Sequence, residues 1–382
     1  MPAKSLGILG GGQLGRFFTI AAQNMGYSVV VFDPDDKSPA GKIADKHICK
    51  PYHDLSALDE LRAYCSAVTT EFENVPAETL QFLEKDIIVR PSSNAISIAQ
   101  NRIKEKDFLK KVGIPVGNYV VIESIESINN LDPKILIYPG ILKTAQFGYD
   151  GKGQIHVNNK IELDAAFKSF NSTPCTFELK LNLDCEFSVV LARTLNGEFM
   201  MYPLIKNQHE SGILDCSSIY PNSIAKPLEN QAIKLAKRIA DELSYVGVLA
   251  VEFFLSSDAL FVNEIAPRPH NSGHFSIDAC VYNQFDQQVL TLVGNELKNA
   301  TTKFPISLML NLLGDLWFRN GKQSEPKFEL IAGSGVSVHL YGKSEPRIGR
   351  KMGHITILGL ENQTHEDVAN KADTLRKILW KN

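Results

Sequence analysis

The sequence predicts a mixed fold: α/β at its start, α+β through its middle, and a small β-rich segment at its end. Three observations carry this. Residues 1–95 alternate strand and helix signals, the order of a parallel sheet with helices on both faces. Residues from about 113 to 300 mix the two with less regularity. From about 304 onward, three strands precede one helix. At 382 residues the chain is long for one domain, so two or three are expected, with ample core.

In the first part, strands are expected at 5–9, 28–32, 67–71 and 86–90, and helices at 13–25, 56–65 and 76–84. Pro91-Ser92-Ser93-Asn94 breaks the alternation, and Ser93 or Asn94 can cap the next helix. That helix spans about 95–112 and stops at Gly113-Ile114-Pro115. Strands follow at 118–122, 135–143, 154–158, 175–180, 185–194 and 198–203. An amphipathic helix at 228–243 leads into two strands, at 248–255 and 260–264, and a helix at 275–294 comes after them. The last part carries strands at 306–312, 334–341 and 353–358 and a helix at 364–380. The chain holds no internal repeat, low-complexity tract or heptad pattern.

Composition narrows the function classes. Hydrophobic residues make up 44% and charged residues 22%, ordinary for a soluble globular protein. A net charge of −3 points away from nucleic acid or an anionic membrane as the main partner. No apolar run approaches the ~20 residues of a membrane-spanning helix. The N-terminus goes almost directly into a strand without a signal-peptide layout. The six cysteines are scattered with no CxxC pair, which reads as reduced thiols in the cytoplasm.

Several motifs carry chemistry. Gly10-Gly11-Gly12-Gln13-Leu14-Gly15 fits GxGxxG between a strand and a helix, and Asp33 follows 18 residues after Gly15. Three readings stand: a dinucleotide site, a site for some other phosphate, or a tight turn that needs glycine. Lys143 ends a strand and precedes Gly148-Tyr149-Asp150-Gly151-Lys152-Gly153-Gln154. A lysine so placed can reach nucleotide phosphates, and a Gly-rich hairpin can fold over them with its N–H groups. No Gly-Lys-Ser/Thr occurs there, so this is not a Walker A loop. The basic stretch of Lys343, Arg347, Arg350 and Lys351 suits a phosphate monoester or a solvated surface.

The most informative residues are Glu252, Asn263 and Glu264, with the run Arg268-Pro269-His270-Asn271-Ser272-Gly273-His274. Two acids on neighbouring strands beside an Asn suit Mg²⁺, which takes one or two carboxylates and completes its shell with phosphate oxygens and water. A guanidinium, two imidazoles and an amide are groups for holding an anion. Metal, nucleotide phosphates and a second anion together suggest activation of an acid by ATP.

These stretches resemble the ATP-grasp superfamily and, within it, the N5-carboxyaminoimidazole ribonucleotide synthetases of purine biosynthesis. The resemblance runs through residues 10–16, Thr70-Glu71-Phe72-Glu73-Asn74-Val75-Pro76, Gln100-Asn101-Arg102, Lys143 with 148–154, and Tyr202-Pro203-Leu204 with His209. It continues through Glu252, 263–274 and 341–354. It implies an ATP-grasp fold: a Rossmann-like domain over 1–95 that binds a ribonucleotide, an ATP-grasp domain over 96–300 with a lid at about 113–185, and a small β-rich domain over 301–382. The implied reaction joins 5-aminoimidazole ribonucleotide and bicarbonate at the expense of ATP, through carboxyphosphate. Mg²⁺ is the implied metal, with Mn²⁺ as a substitute, and a homodimer is the implied assembly.

Carried over by position, Arg102, Lys143, Gly148, Tyr149, Asp150, Gly151, Lys152, Gly153 and Gln154 match nucleotide-binding positions. So do Glu178, Leu179, Lys180, Leu181, Glu186, His209, Asn263 and Glu264. Glu252 and Glu264 match the metal ligands. Arg268, His270 and Asn271 match the bicarbonate and carboxyphosphate pocket. Gln13, Glu73, Asn74, Tyr149, Asp150, Lys343 and Arg350 match positions that hold the ribonucleotide; Lys343 and Asp150 also match catalytic ones, with Asp150 placed to orient the amine or take its proton. Thr144-Ala145-Gln146-Phe147 departs from the resemblance, since basic residues are expected there. The alternatives are another ATP-grasp ligase using a different acid, an NAD(P)-dependent oxidoreductase built on 10–15 and Asp33, and a non-catalytic nucleotide-binding protein.

Overall fold

The computed structural model describes residues 5–131, 136–148, 151–319 and 321–381. Its first sheet is fully parallel. Lys46–Ile48, Val29–Phe32, Ser5–Leu9, Cys65–Thr70 and Ile88–Val89 lie side by side in that order. The central strands are almost wholly apolar because both faces are covered. Leu55–Tyr64 and Ala77–Leu83 cover one face, over a core of Val30, Leu58, Leu61 and Leu80. On the other face Gln13–Asn24 shares a core with Gln284–Val293, through Ile8, Phe18, Phe285 and Val289. A helix from much later in the chain is therefore locked onto the first sheet.

A second, antiparallel sheet runs Tyr119–Ile122, Cys175–Leu179, Gly140–Thr144, Gln154–Val157. Ile125–Asn130 and Lys160–Ser169 pack on it around Leu142, Leu163, Phe167 and Phe177. The third sheet has nine strands. It runs from Ala259–Ala266 through Gly247–Ser256, Cys185–Arg193, Ile205–Glu210 and Ile213–Ile219. It then continues unbroken into Ser307–Leu313, Lys351–Leu358 and Val336–Leu340, with Phe199–Met201 on the flank of Cys185–Arg193. Lys226–Glu242 and His365–Lys381 pack on this sheet. The segment beyond 301 thus shares backbone hydrogen bonds with what precedes it. Among the described residues no helix is long and apolar enough to cross a membrane.

The strand Lys46–Ile48 and the helices Ile125–Asn130 and Lys160–Ser169 are not predicted from sequence, and the structure departs from the prediction at four further places. The helix expected at 95–112 is two helices, Ser93–Ala99 and Arg102–Lys111. Asn101 breaks it by capping the second with its side-chain oxygen, which accepts from Ile103 N at 2.9 Å and Lys104 N at 3.2 Å. The helix expected at 275–294 is a 3-10 turn, Asn271–Phe275, then Ser276–Ala279, then Gln284–Val293 capped by Asn283. The strand expected at 135–143 is shorter, Gly140–Thr144, and its first expected residue lies outside the described residues. Two central strands, Ile205–Glu210 and Ile213–Ile219, escape prediction. Their inward positions include Asn207 and Ser217, which satisfy one another: Asn207 Nδ2 donates to Ser188 Oγ at 2.6 Å, and Ser217 Oγ donates to Asn207 Oδ1 at 2.9 Å. Such a polar row erases the apolar alternation that marks a strand.

Candidate active site

The site is built upward from Gly247–Ser256 and Ala259–Ala266, whose register sets Glu252 directly opposite Glu264. Glu252 is 8% exposed. Asn263 Nδ2 lies 3.4 Å from its Oε2, and His270 Nε2 lies 3.2 Å from its Oε1. Glu264 Oε2 meets Arg102 Nη1 at 3.3 Å. Burial, then the nearby Glu264 carboxylate, pushes the Glu252 carboxyl up to about 7. Asn263 Oδ1 is buried without a partner among the described residues. Two facing carboxylates and an idle amide oxygen form the hard-oxygen donor set that suits a divalent cation.

The 268–274 loop comes next. Arg268 grips Glu73 with Nε to Oε2 at 2.6 Å and Nη2 to Oε1 at 3.4 Å. Burial raises the Glu73 carboxyl, but Arg268 outweighs it and holds the group below its usual range. Asn74 sits half-buried beside Glu73. His270 is kept neutral, first by burial and then by the Arg268 charge. Its Nδ1 accepts from Ser272 N at 3.3 Å and faces Ser272 Oγ at 2.8 Å, so the ring proton sits on Nε2 and points at Glu252. Asn271 is 6% exposed, and neither its Oδ1 nor its Nδ2 has a partner among the described residues. A buried amide with idle donor and acceptor costs stability unless something bound completes it.

The nucleotide side shows the opposite state. Glu178 is 8% exposed and its Oε2 receives Lys143 Nζ at 3.0 Å and Lys106 Nζ at 3.3 Å, while Thr176 Oγ1 donates to Oε1 at 3.1 Å. Burial alone raises this carboxyl; Lys143, Lys106 and Arg102 outweigh it and bring it down to about 2. The Lys143 ammonium shifts down, chiefly from burial. Leu179 N and Lys180 N donate to Asn118 O at 2.9 Å and Pro139 O at 3.1 Å, and Leu181 follows, partly buried. Glu186 Oε2 lies 2.7 Å from His209 Nδ1. Gly148, Gly151, Lys152 and Gly153 belong to the loop between Gly140–Thr144 and Gln154–Val157, and Gln154 opens the second of these strands. Gly151 has φ +75°, and a Cβ there would come within 2.8 Å of Ser211 O, so the loop rests on the Ser211-Gly212 turn of the nine-stranded sheet. Tyr149 and Asp150 lie outside the described residues.

At the Gly-rich turn the structure bears on the readings left open by sequence. Gly11 N donates to Asp33 Oδ2 at 2.7 Å. Gly12 N and Leu14 N donate to the Glu71 carboxylate. The N–H groups that would cradle a phosphate already hold the protein's own acids, and side chains at Gly11 or Gly12 would collide with Ser38 or Glu71. These contacts fit the reading of the glycines as a tight turn. Gln13, the first helical residue, accepts from Lys343 Nζ at 2.7 Å, which joins positions 330 apart. Lys343 also donates to Lys351 O at 2.6 Å, and Arg350 Nη1 to Glu345 O at 2.8 Å. Sequence reasoning missed Glu71, a buried acid read as mere strand end. It also missed Lys106, although Lys106 stands four residues after Arg102 on one helix face.

Comparison with known proteins bears on this geometry. Residues 3–100 match the ribonucleotide synthetase preATP-grasp domain, 107–285 the ATP-grasp domain, and 307–368 the phosphoribosylaminoimidazole carboxylase C-terminal domain. The chain is 39% identical over 374 residues to the N5-carboxyaminoimidazole ribonucleotide synthase of Staphylococcus aureus strain COL, covering 96% of each protein. The chain belongs to the N5-carboxyaminoimidazole ribonucleotide synthase family. The ADP complex of one such synthetase superposes with a TM-score of 0.88 at 37% identity, over 100% of this chain and 98% of that one. The Aspergillus clavatus synthase, solved with ADP and 5-aminoimidazole ribonucleotide, gives 0.87 at 27% identity over 99% of both. As a family member, the chain has the ATP-grasp fold, with a parallel N-terminal sheet and antiparallel sheets beyond it.

Proposed function

We propose that this chain carboxylates 5-aminoimidazole ribonucleotide with bicarbonate and ATP, releasing ADP, phosphate and N5-carboxyaminoimidazole ribonucleotide in purine biosynthesis. The observation that carries this reading is a run of charged and polar side chains that links the first sheet to the nucleotide side. Glu73 grips Arg268; His270, two residues on, meets Glu252; Glu252 faces Glu264; and Glu264 pairs with Arg102. That run reaches from the first sheet to the Lys143–Glu178 cluster, with the neutral His270 ring and the 268–270 backbone as its uncharged links.

Bicarbonate is a poor electrophile because hydroxide is a poor leaving group. Transfer of the ATP γ-phosphoryl group to a bicarbonate oxygen gives carboxyphosphate and ADP. Attack by the exocyclic amine on that carbon forms the N–C bond and expels phosphate; along the other route carboxyphosphate first separates into CO₂ and phosphate, and the amine then adds to the CO₂. Arg268 and the Asn271 amide offset charge as it moves onto oxygen. Lys143 and Arg102 hold nucleotide phosphates, and Glu178, Leu179, Lys180, Leu181, Glu186 and His209 flank the nucleotide. Glu252 and Glu264, with Asn263 beside them, would hold Mg²⁺ or Mn²⁺, which when bound offsets phosphate charge. Gln13, Glu73, Asn74, Lys343 and Arg350, with Tyr149 and Asp150, hold the ribonucleotide, and Asp150 takes the amine proton. The 148–154 loop, resting on Ser211-Gly212, excludes water from carboxyphosphate.

The same proposal divides the chain into 1–95, 96–300 with a lid at 113–185, and 301–382. It includes a homodimer in the cytoplasm. The test is ADP release with Mg-ATP, with and without ribonucleotide and bicarbonate. ADP formation that needs the ribonucleotide, with labelled bicarbonate carbon entering an acid-labile carbamate, is the expected result. Turnover indifferent to the ribonucleotide and stimulated by another acid or amine would leave the fold and overturn the substrate.

A further inference from the structure

Gln284 is wholly buried at the first position of Gln284–Val293 and has no charge to contribute. Its amide is nevertheless fully engaged by the anion-binding loop. Its Oε1 accepts from His270 N at 2.8 Å. Its Nε2 donates to His270 O at 2.8 Å and to His274 Nδ1 at 3.1 Å. The orientation of the amide is fixed by its partners: a backbone N–H demands oxygen, and a backbone carbonyl demands nitrogen. Gln284 thus pairs with both backbone groups of one residue, as a neighbouring strand would. Its own backbone N–H is 3.2 Å from Ser276 Oγ, which donates to Gly273 O at 2.6 Å. A Cβ at Gly273 would lie 2.5 Å from Gln284 Oε1, so the missing side chain there makes room for the amide.

The residue after His270 is Asn271, whose side-chain amide has no partner among the described residues to aim it. Its direction depends on the backbone at His270. Gln284 is in turn anchored through its helix to the first sheet, where Phe285 and Val289 pack with Ile8 and Phe18. We infer that Gln284 is a positioning residue for the acid-activating step, which holds His270 and Asn271 against the bicarbonate and ties their placement to the domain that holds the ribonucleotide. This rests on the function proposed above.

The test uses the full-length chain and its Gln284→Glu variant, in which a near-isosteric carboxylate can still accept from His270 N but cannot donate to His270 O or His274. Melting temperature, ADP affinity, the KM for bicarbonate and the ratio of ADP released to carbamate formed are measured on both. Expected are a lowered melting temperature, near-native ADP affinity, a loss of kcat on the order of a hundredfold, a raised KM for bicarbonate, and excess ADP per carbamate. Gly273→Ala, which pushes on the same amide from the other side, is expected to give the same signature more weakly. A native KM for bicarbonate and a native ADP-to-carbamate ratio in whichever of the two variants folds would overturn the inference. Failure of the unsubstituted chain to form carbamate would instead overturn the proposed function, since that control runs in the same assay.

Discussion

Glu178 and Glu252 are equally buried, at 8% exposure each, yet the protein treats them in opposite ways. Glu178 has two lysines on one oxygen and is held at about 2. Glu252 has Glu264 across the strand pair and a neutral imidazole beside it, and is pushed to about 7. Burial is the same in both places, so charged neighbours decide. The nucleotide side carries its compensation within the protein, whereas the acid-activating side leaves charge and amide groups for ligands to complete. Buried acids are costly in both cases, and the second cost is recovered only on binding.

The largest test of this contrast is Glu178→Gln. It strips the shared anion from Lys143 and Lys106 and leaves two buried cations uncompensated. Denaturant unfolding is expected to show a loss of about 3–5 kcal/mol. Glu252→Gln should behave in the reverse manner. It removes like-charge repulsion with Glu264, so ligand-free stability should hold or rise while turnover falls on the order of a hundredfold. Equal destabilisation by the two substitutions would break the comparison.

A smaller effect is expected from pH. The Glu178 carboxyl is depressed from an ordinary 4.5 to about 2, so its stabilising contribution is complete above 4.5 and is lost as pH falls toward 2. Glu252 is raised to about 7, and Glu105, buried beside Glu264 with its Oε1 accepting from Ile265 N at 2.6 Å, is raised to about 8. For these two the folded state binds more protons, so their contribution is complete below 4.5 and is lost as pH rises through 7 to 8. Ligand-free stability should therefore fall on both limbs. Glu178→Gln should flatten the acid limb alone, and Glu252→Gln should flatten part of the upper limb alone.

How far the sequence showed this in advance varied by element. Four of the five strands of the parallel first sheet were legible because the central ones are largely apolar runs; Lys46–Ile48 was not, since Lys46 and His47 break the apolar pattern. The strands bearing Glu252 and Glu264 were legible because acids stand out against such runs. Ile205–Glu210 and Ile213–Ile219 were not, since Asn207, Ser217 and Ser188 satisfy one another only once the strands have paired. The role of the Gly-rich turn was ambiguous for the same reason: Glu71 fills it from 59 positions away. Gln284 offered no local signal, as its partners lie in a loop ahead of it. Motifs survive translation into one dimension, whereas compensation between distant groups does not.

The smallest expected effect concerns Asn101, and it separates the two acids at their shared neighbour. Arg102 pairs with Glu264 and also helps hold Glu178 down. It stands at the first helical position, where Asn101 caps the helix and Arg102 N donates to Ala145 O at 2.9 Å. Asn101→Ala removes the cap at a cost of about 1 kcal/mol, measured by thermal unfolding. If the cap also fixes where Arg102 points, the KM for ATP should rise a few-fold more than the KM for bicarbonate, since the anion loop has its own support in Glu73. A stability loss with both constants unchanged would show that Arg102 is positioned by its ion pair with Glu264 and not by the helix start. The open acid pair would then be organising its own cation-bearing neighbour before any ligand arrives.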